Sequence, residues 1–302
     1  MSIEELNQAF KIENRLWFEE GNGGLPKVVI QTPLAEAELY IHGGHITHFQ
    51  PSGHDPVLFT SAEAIYADGK AIRGGIPIIW PWFGAHPTDS KMPSHGFARR
   101  MSWTFRECSE DESGIVHLRL DLLEPNSLAH PQFDAEFKLE LRISVGTALK
   151  VDLYTRNMSD KPFSYTAALH TYFLVGSITE VTLIGLDEKT YLDQLNAMTE
   201  RIQQNPIQID REIDRIYAKT SDTVFIHDPR KRRIIEVSKE GSYSTVIWNP
   251  WIEKSRRMPD FGDSEYQSMV CVEVANVHND AIRLDSYQGH HLVTTIGASY
   301  LP

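Results

Sequence analysis

Residues 136–144, EFKLELRIS, alternate apolar and polar side chains, with Phe137, Leu139, Leu141 and Ile143 set against Glu136, Lys138, Glu140 and Arg142. A two-residue period predicts a strand with one dry and one wet face. The same period recurs in VHLRLDL at 116–122 and in LKVDLYT at 149–155, so three such strands follow one another closely. Sheets that keep a face in water are typically antiparallel, because parallel sheets need helices over both faces, and no helix-length insert occurs here. The turn around Gly146 predicts a hairpin. Further short apolar runs at 27–31, 39–49, 163–175, 180–185, 223–227, 233–237, 244–248, 269–277 and 291–297 bring the expected strands to a dozen or so. That pattern implies an all-β fold, a large antiparallel β-sandwich with a few short helices. Helical signal is confined to residues 2–9, where Ser2 and Glu5 stand at capping-box spacing.

The least regular region is 50–104, which contains RGGIPIIWPWFG at 73–84 and MPSHGFARRMSW at 92–103. Pro77 and Pro81 forbid a regular central strand there. Long ordered connections in compact domains tend to carry function, so this stretch is the first place to search for a site. A second irregular stretch, 186–222, is polar. No internal repeat or flexible linker divides the chain, and residues 1–302 are expected to form a single domain.

Composition narrows the function classes. The 29 Lys+Arg against 41 Asp+Glu give a net charge of −12, which argues against electrostatic binding to nucleic acid. With 41% hydrophobic and 23% charged residues the chain is too apolar to be disordered. Cys108 and Cys271 lie far apart, so no disulfide framework, zinc knuckle or redox pair is indicated. The N-terminus, MSIEELNQAF, lacks a basic segment followed by an apolar run, and no stretch approaches the roughly 18 to 20 apolar residues that span a bilayer. A cytoplasmic, non-membrane protein is expected, and a monomer.

Three histidines, His42, His45 and His48, have a spacing that suggests metal binding, but in a strand His45 points away from the other two, and Gly43-Gly44 marks a bend. Without a matching carboxylate or thiolate motif, no metal is expected. His290 and His291 also diverge. GxSxG, P-loop and strand-GxGxxG units are absent, which removes the usual hydrolase, nucleotide and dinucleotide readings.

What is left rests on scattered residues. In AALHTYFLV at 167–175, strand parity sets His170 with Ala168 and Tyr172, away from Leu169, Thr171 and Phe173. In VCVEVANV at 270–277, Glu273 shares a face with Cys271, opposite Val270, Val272 and Val274. A salt bridge or edge-strand charge is the plain alternative for such a Glu, and hydrogen-bonded packing for such a His. Together, however, an imidazole that titrates near neutrality and a carboxylate in a dry site make an acid–base pair. Arg73 directly before Gly74-Gly75, and Arg99-Arg100 directly after HGFA, suit an anion, since guanidinium grips phosphate or carboxylate while Gly lets amides approach. The alternative is that these arginines pair with the surplus carboxylates.

RGGIPIIWPWFG, SHGFARRMSW, LHTYF, YLDQL at 191–195 and VEVANV resemble the hexose-6-phosphate mutarotases, the glucose-6-phosphate 1-epimerases of the aldose 1-epimerase, or galactose mutarotase-like, superfamily. The matching segments run in family order from about residue 73 to 277. The resemblance implies a β-supersandwich with the sugar site on the concave face of a curved sheet. It implies His170 as general acid and Glu273 as general base, Arg73 and Arg99 as substrate and phosphate ligands, Asp193 as a sugar contact, and His95 as their neighbour. Some members carry a glutamine just before HGFAR, where this chain has the shorter Ser94. The implied activity interconverts the α and β anomers of a hexose 6-phosphate with no cofactor, a protonated His170 donating while an ionised Glu273 accepts.

Three rivals stay open. An aldose mutarotase for unphosphorylated sugars would use the same pair. A non-catalytic carbohydrate-binding protein would stack sugars on Trp80, Trp82 and Trp103. A glycosidase is disfavoured by a His–Glu pairing in place of two carboxylates.

Overall fold

A computed structural model describes residues 1–122 and 129–301. Every strand pair it contains is antiparallel. The alternating segments form neighbouring strands Thr104–Glu110, Val116–Asp121, Phe137–Val145 and Leu149–Asn157, and the last two close a hairpin through Gly146. They make up one side of a nine-stranded sheet, which continues through Gly289–Tyr300, Arg233–Glu240, Val224–Asp228, Thr182–Ile184 and Ile207–Gln208.

A second sheet runs in the order Thr199–Ile202, Thr190–Asp193, Ile213–Ala218, Ser244–Asn249, Met269–Asn276, Ala167–Leu169 and Ile78–Ile79. Tyr172–Leu174 also pairs with Met269–Asn276 in this sheet. A four-stranded sheet, from Leu16–Glu20 to His45–Pro51, completes the larger elements. The apolar faces of all three sheets merge in one hydrophobic cluster, with Ile30 and Phe49 from the four-stranded sheet, Leu153, Ile235 and Ile296 from the nine-stranded sheet, and Ile247, Val270, Val272 and Val274 from the eight-stranded one. At roughly 25 cal/mol per Å² of apolar surface removed from water, such burial is the main force holding the layers together.

Helix is sparse, as the pattern predicts. Ile3–Phe10 is capped by Ser2, whose hydroxyl accepts from the Glu5 amide while the Glu5 carboxylate accepts from the Ser2 amide. Trp251–Ser255 is a single short turn of helix. No helix among the described residues is long and apolar enough to cross a membrane.

The eight-stranded sheet differs from the alternating strands. In the eight-stranded sheet, Ser244–Asn249 and Met269–Asn276 are buried along their whole length, so neither face is wet. The irregular segment 50–104 and the residues after Asn249 cover the second face, where Ile79, Ala168, Ile216, Val246 and Ala275 form a small separate apolar cluster. Within 73–84 regular strand shrinks to Ile78–Ile79, as the flanking prolines require.

Candidate active site

The covered face of the eight-stranded sheet is laid out by strand register. Asp214 opposes Trp248, Trp248 opposes Cys271, and Cys271 opposes Tyr172, which gives one row across four strands. One step along, Ile216, Val246 and Glu273 form the next row. Since successive residues alternate faces, this parity puts Glu273 and Cys271 on the side away from the valine core. His170 sits in the break between Ala167–Leu169 and Tyr172–Leu174, its amide bound to the Pro77 carbonyl at 3.1 Å.

Of these, His170, Tyr172, Asp214, Trp248 and Glu273 line a hollow of about 370 Å³. Segment 73–99 supplies Arg73, Phe83, Gly84, Ser94, His95 and Arg99, and Gln194, Lys254 and Met258 complete the lining. Its size is that of a small-molecule site.

At its base His170 Nε2 lies 3.3 Å from Glu273 Oε1, with side chains 10% and 1% exposed. The imidazole stacks on Tyr172, centroids 4.9 Å apart and planes 10° apart, and meets Trp248 edge-on at 6.0 Å. His170 Nδ1 and Glu273 Oε2 are buried with no hydrogen-bond partner among the described residues. Burial lowers the His170 pKa well below its usual value, helped by the nearby His95, Arg99 and Arg73. Burial raises that of Glu273 well above the carboxylate range, with Asp214 adding to it and Arg99 opposing. Both shifts disfavour the charged forms, so burial favours a neutral imidazole beside a protonated carboxyl over an ion pair.

The two arginines differ. Arg73 Nη1 donates to the Tyr172 hydroxyl and Nη2 to Asp260, each at 3.0 Å, so its charge is already paired and its pKa is raised by Tyr172 and Asp260. Arg99 Nη2 donates to the Ser94 carbonyl at 2.9 Å, and its Nε is buried without a partner. Burial, together with the charge of Arg73, pulls the Arg99 pKa down to about 10, still protonated at neutral pH. Among the described residues no acidic side chain forms an ion pair with Arg99 or with Lys254. A half-buried guanidinium with no ion-pair partner among the described residues invites an anion.

The glycines beside these arginines serve packing instead of offering amides. The Gly75 amide donates to Phe59 O at 2.6 Å, and a Cβ on Gly75, at φ +60°, would meet Ile46 O at 2.1 Å. His45 fixes the same loop by donating from Nε2 to Gly74 O at 2.7 Å, and its pKa falls to about 3 through burial. His42 Nε2 bonds the Lys70 carbonyl at 2.5 Å, so these two histidines hold backbone. His95 accepts the Gly84 amide at Nδ1 (3.2 Å), which leaves Nε2–H as the donor it can offer. Burial and the two arginines lower its pKa to about 3, so it is neutral.

Asp193 is placed elsewhere. Its carboxylate accepts from the Leu195 amide at 3.2 Å and the Asn196 amide group at 2.6 Å, capping the turn Gln194–Asn196, and it does not line the hollow. Its chain neighbour Gln194 and the more distant Asp214 do, joined by a short hydrogen bond from Gln194 Nε2. Burial raises the Asp214 pKa to about 6. Ser94 lines the hollow too, with its hydroxyl bonded to the Gly84 carbonyl at 3.2 Å.

Sequence reading missed Asp214, Lys254 and Trp248. Asp214 occupies an ordinary alternating strand position, and Lys254 sits in a helix too short to show periodicity, so neither carries a local signal. Trp80, Trp82 and Trp103 are 0%, 6% and 2% exposed, which removes them as a stacking platform for sugars.

The aldose 1-epimerase family pattern matches residues 26–296. A protein of Cenchrus ciliaris provisionally named glucose-6-phosphate 1-epimerase is 35% identical over 291 residues, 92% of this chain and 87% of its own. One of Escherichia coli with the same provisional name is 34% identical over 253 residues, 83% of each chain. The crystal structure of a protein from Salmonella typhimurium, provisionally described as a mutarotase, superimposes with a TM-score of 0.88 at 29% identity over 96% of both chains.

Proposed function

Since this chain belongs to the aldose 1-epimerase family of isomerases, we propose that it is a hexose-6-phosphate mutarotase, interconverting the α and β anomers of glucose 6-phosphate and related aldohexose 6-phosphates. The observation that carries this reading is one hollow lined both by His170 and Glu273, 3.3 Å apart, and by Arg99, which has no ion-pair partner among the described residues. The names of the plant and E. coli relatives agree with it.

Mutarotation needs a proton delivered to the ring oxygen and a proton removed from the C1 hydroxyl. A pair holding one proton does both. Transfer from Glu273 to His170 makes imidazolium and carboxylate. His170 then protonates the ring oxygen as Glu273 takes the hydroxyl proton, and the ring opens to an aldehyde. Rotation about C1–C2 presents the other carbonyl face, and reclosure returns both protons. Each positioned acid–base group supplies about 10²–10⁴-fold, enough for a reaction that already runs in water.

Phosphate recognition falls to Arg99 and Lys254, whose charges are unpaired, while Arg73, neutralised by Asp260, orients Tyr172 beneath His170. The phosphate also assists the chemistry. Arg99 is one of the charges that suppress protonation of His170, so a phosphate dianion on Arg99 favours the imidazolium needed for donation. Gln194 and Asp214, hydrogen-bonded to each other in the lining, are placed to bond sugar hydroxyls. The unphosphorylated-sugar reading leaves Arg99 without a counterion. Comparing anomer exchange of glucose 6-phosphate and glucose separates the two.

A further inference from the structure

Cys271 has no part in the acid–base cycle, yet it lies beside it. It is fully buried on the same face of Met269–Asn276 as Glu273, directly opposite Tyr172. One ligand atom from each of His170, Cys271 and Glu273 falls within 4.8 Å of the others. Nitrogen, thiolate and carboxylate are the donor set of a tetrahedral zinc site.

The spacing of the nitrogen and carboxylate donors fits as well. Two ligand atoms about 2.0–2.1 Å from a tetrahedral zinc stand about 3.3 Å apart. His170 Nε2 and Glu273 Oε1 are 3.3 Å apart. Glu273 Oε2 is buried and has no partner among the described residues, as expected of a carboxylate left with coordinating capacity. Three protein ligands leave a fourth position open; His170 and Glu273 line the hollow, and Cys271 is fully buried beside them.

We propose that His170, Cys271 and Glu273 form an inhibitory site for a thiophilic divalent cation such as Zn²⁺, entered from the sugar-binding hollow. The inhibitory direction rests on the acid–base reading of the pair; the binding site does not. Coordination occupies the imidazole lone pair and the carboxylate oxygen between which the proton must move. The thiol binds as thiolate and the Glu273 carboxyl as carboxylate, each releasing its proton to solvent, so binding weakens as pH falls. A hard cation such as Mg²⁺, which prefers an all-oxygen octahedral shell, is excluded by the sulfur and nitrogen donors.

The test uses the whole protein and its Cys271→Ser variant, with the free metal ion held by a metal buffer. Co²⁺ replaces zinc as a spectroscopic probe, because a thiolate–cobalt bond gives an intense near-ultraviolet charge-transfer band. The wild type should show that band, and Zn²⁺ should suppress its glucose 6-phosphate anomer exchange reversibly, with activity returning on chelation. The variant should keep its turnover, lack the band, and need at least about tenfold more Zn²⁺ for the same inhibition. Cys271→Ala guards against a folding artefact, and a native melting curve is required of both. A wild-type spectrum without the band, or equal zinc sensitivity in wild type and both variants, would overturn the proposal. If the protein catalyses no anomer exchange, the cobalt band still reports the site, so failure of the site and failure of the enzymatic reading remain distinguishable.

Discussion

The imidazole of His170 lies flat against the ring of Tyr172, planes 10° apart, and the hydroxyl of that tyrosine accepts a 3.0 Å hydrogen bond from Arg73. Asp260 holds the other end of the same guanidinium. The imidazole of the hollow is thus tied through Tyr172 to the loop 73–84, and through Asp260 to the segment that carries Lys254. Glu265 reinforces the tie by accepting from Ser61 Oγ, the Ala62 amide and the Gly262 amide. Rigid support of this kind keeps acid and base within reach of one pyranose.

Removing either partner of the pair should collapse catalysis while leaving the fold. His170→Asn and Glu273→Gln are each expected to lower kcat by on the order of 10²–10⁴-fold. Near-normal turnover in either variant, with an unchanged far-ultraviolet spectrum, would remove that residue from the mechanism.

The buried carboxyl makes a prediction about stability. Unfolded, Glu273 titrates near about 4.3; folded, burial keeps it protonated well above that value. Between those two values the folded protein binds one more proton than the unfolded chain. This contribution to stability is full below the unfolded pKa and declines by about 1.4 kcal/mol per pH unit as pH rises through the window. Glu273→Gln abolishes the term. The variant's melting temperature should match the wild type near pH 4 and exceed it by a growing margin toward pH 7. A pH-independent difference would contradict the assignment.

Arg99 and Lys254 should discriminate by substrate. Arg99→Ala is expected to lower kcat/KM for glucose 6-phosphate by on the order of 10²-fold, and Lys254→Ala by less, with little change in any activity on free glucose. Equal losses on both sugars would reject the phosphate role.

The two aspartates should separate cleanly. Asp214→Asn is expected to lower kcat/KM by at least about tenfold, since a charged hydrogen bond to a sugar hydroxyl is lost. Asp193→Asn should leave turnover within a few-fold and cost stability, up to about 2 kcal/mol by analogy with loss of a helix cap. The opposite ranking in parallel kinetic and melting measurements would return the sugar contact to Asp193.

These contrasts also mark what the chain discloses directly. Strand periodicity is local, so the hairpin Phe137–Val145 to Leu149–Asn157 and the facing of Glu273 away from Val272 follow from alternation alone. His170 and Glu273 stand in motifs unusual enough to single out. Register between distant strands is not local. Nothing near Asp214 announces that it will share a row with Trp248 and Cys271, and nothing in YLDQL announces that its aspartate bonds the Leu195 amide within its own turn. Nor does RGG reveal which neighbour its glycines must admit, because Ile46 and Phe59 reach them only in the folded packing.

The central claim is tested most directly by magnetisation-transfer NMR between the α and β anomers of glucose 6-phosphate, with and without the protein. The account predicts exchange far above the buffer rate, lost in Glu273→Gln and much weaker for glucose. Exchange no faster than in buffer, in a sample that binds glucose 6-phosphate and melts as a folded protein, would contradict it.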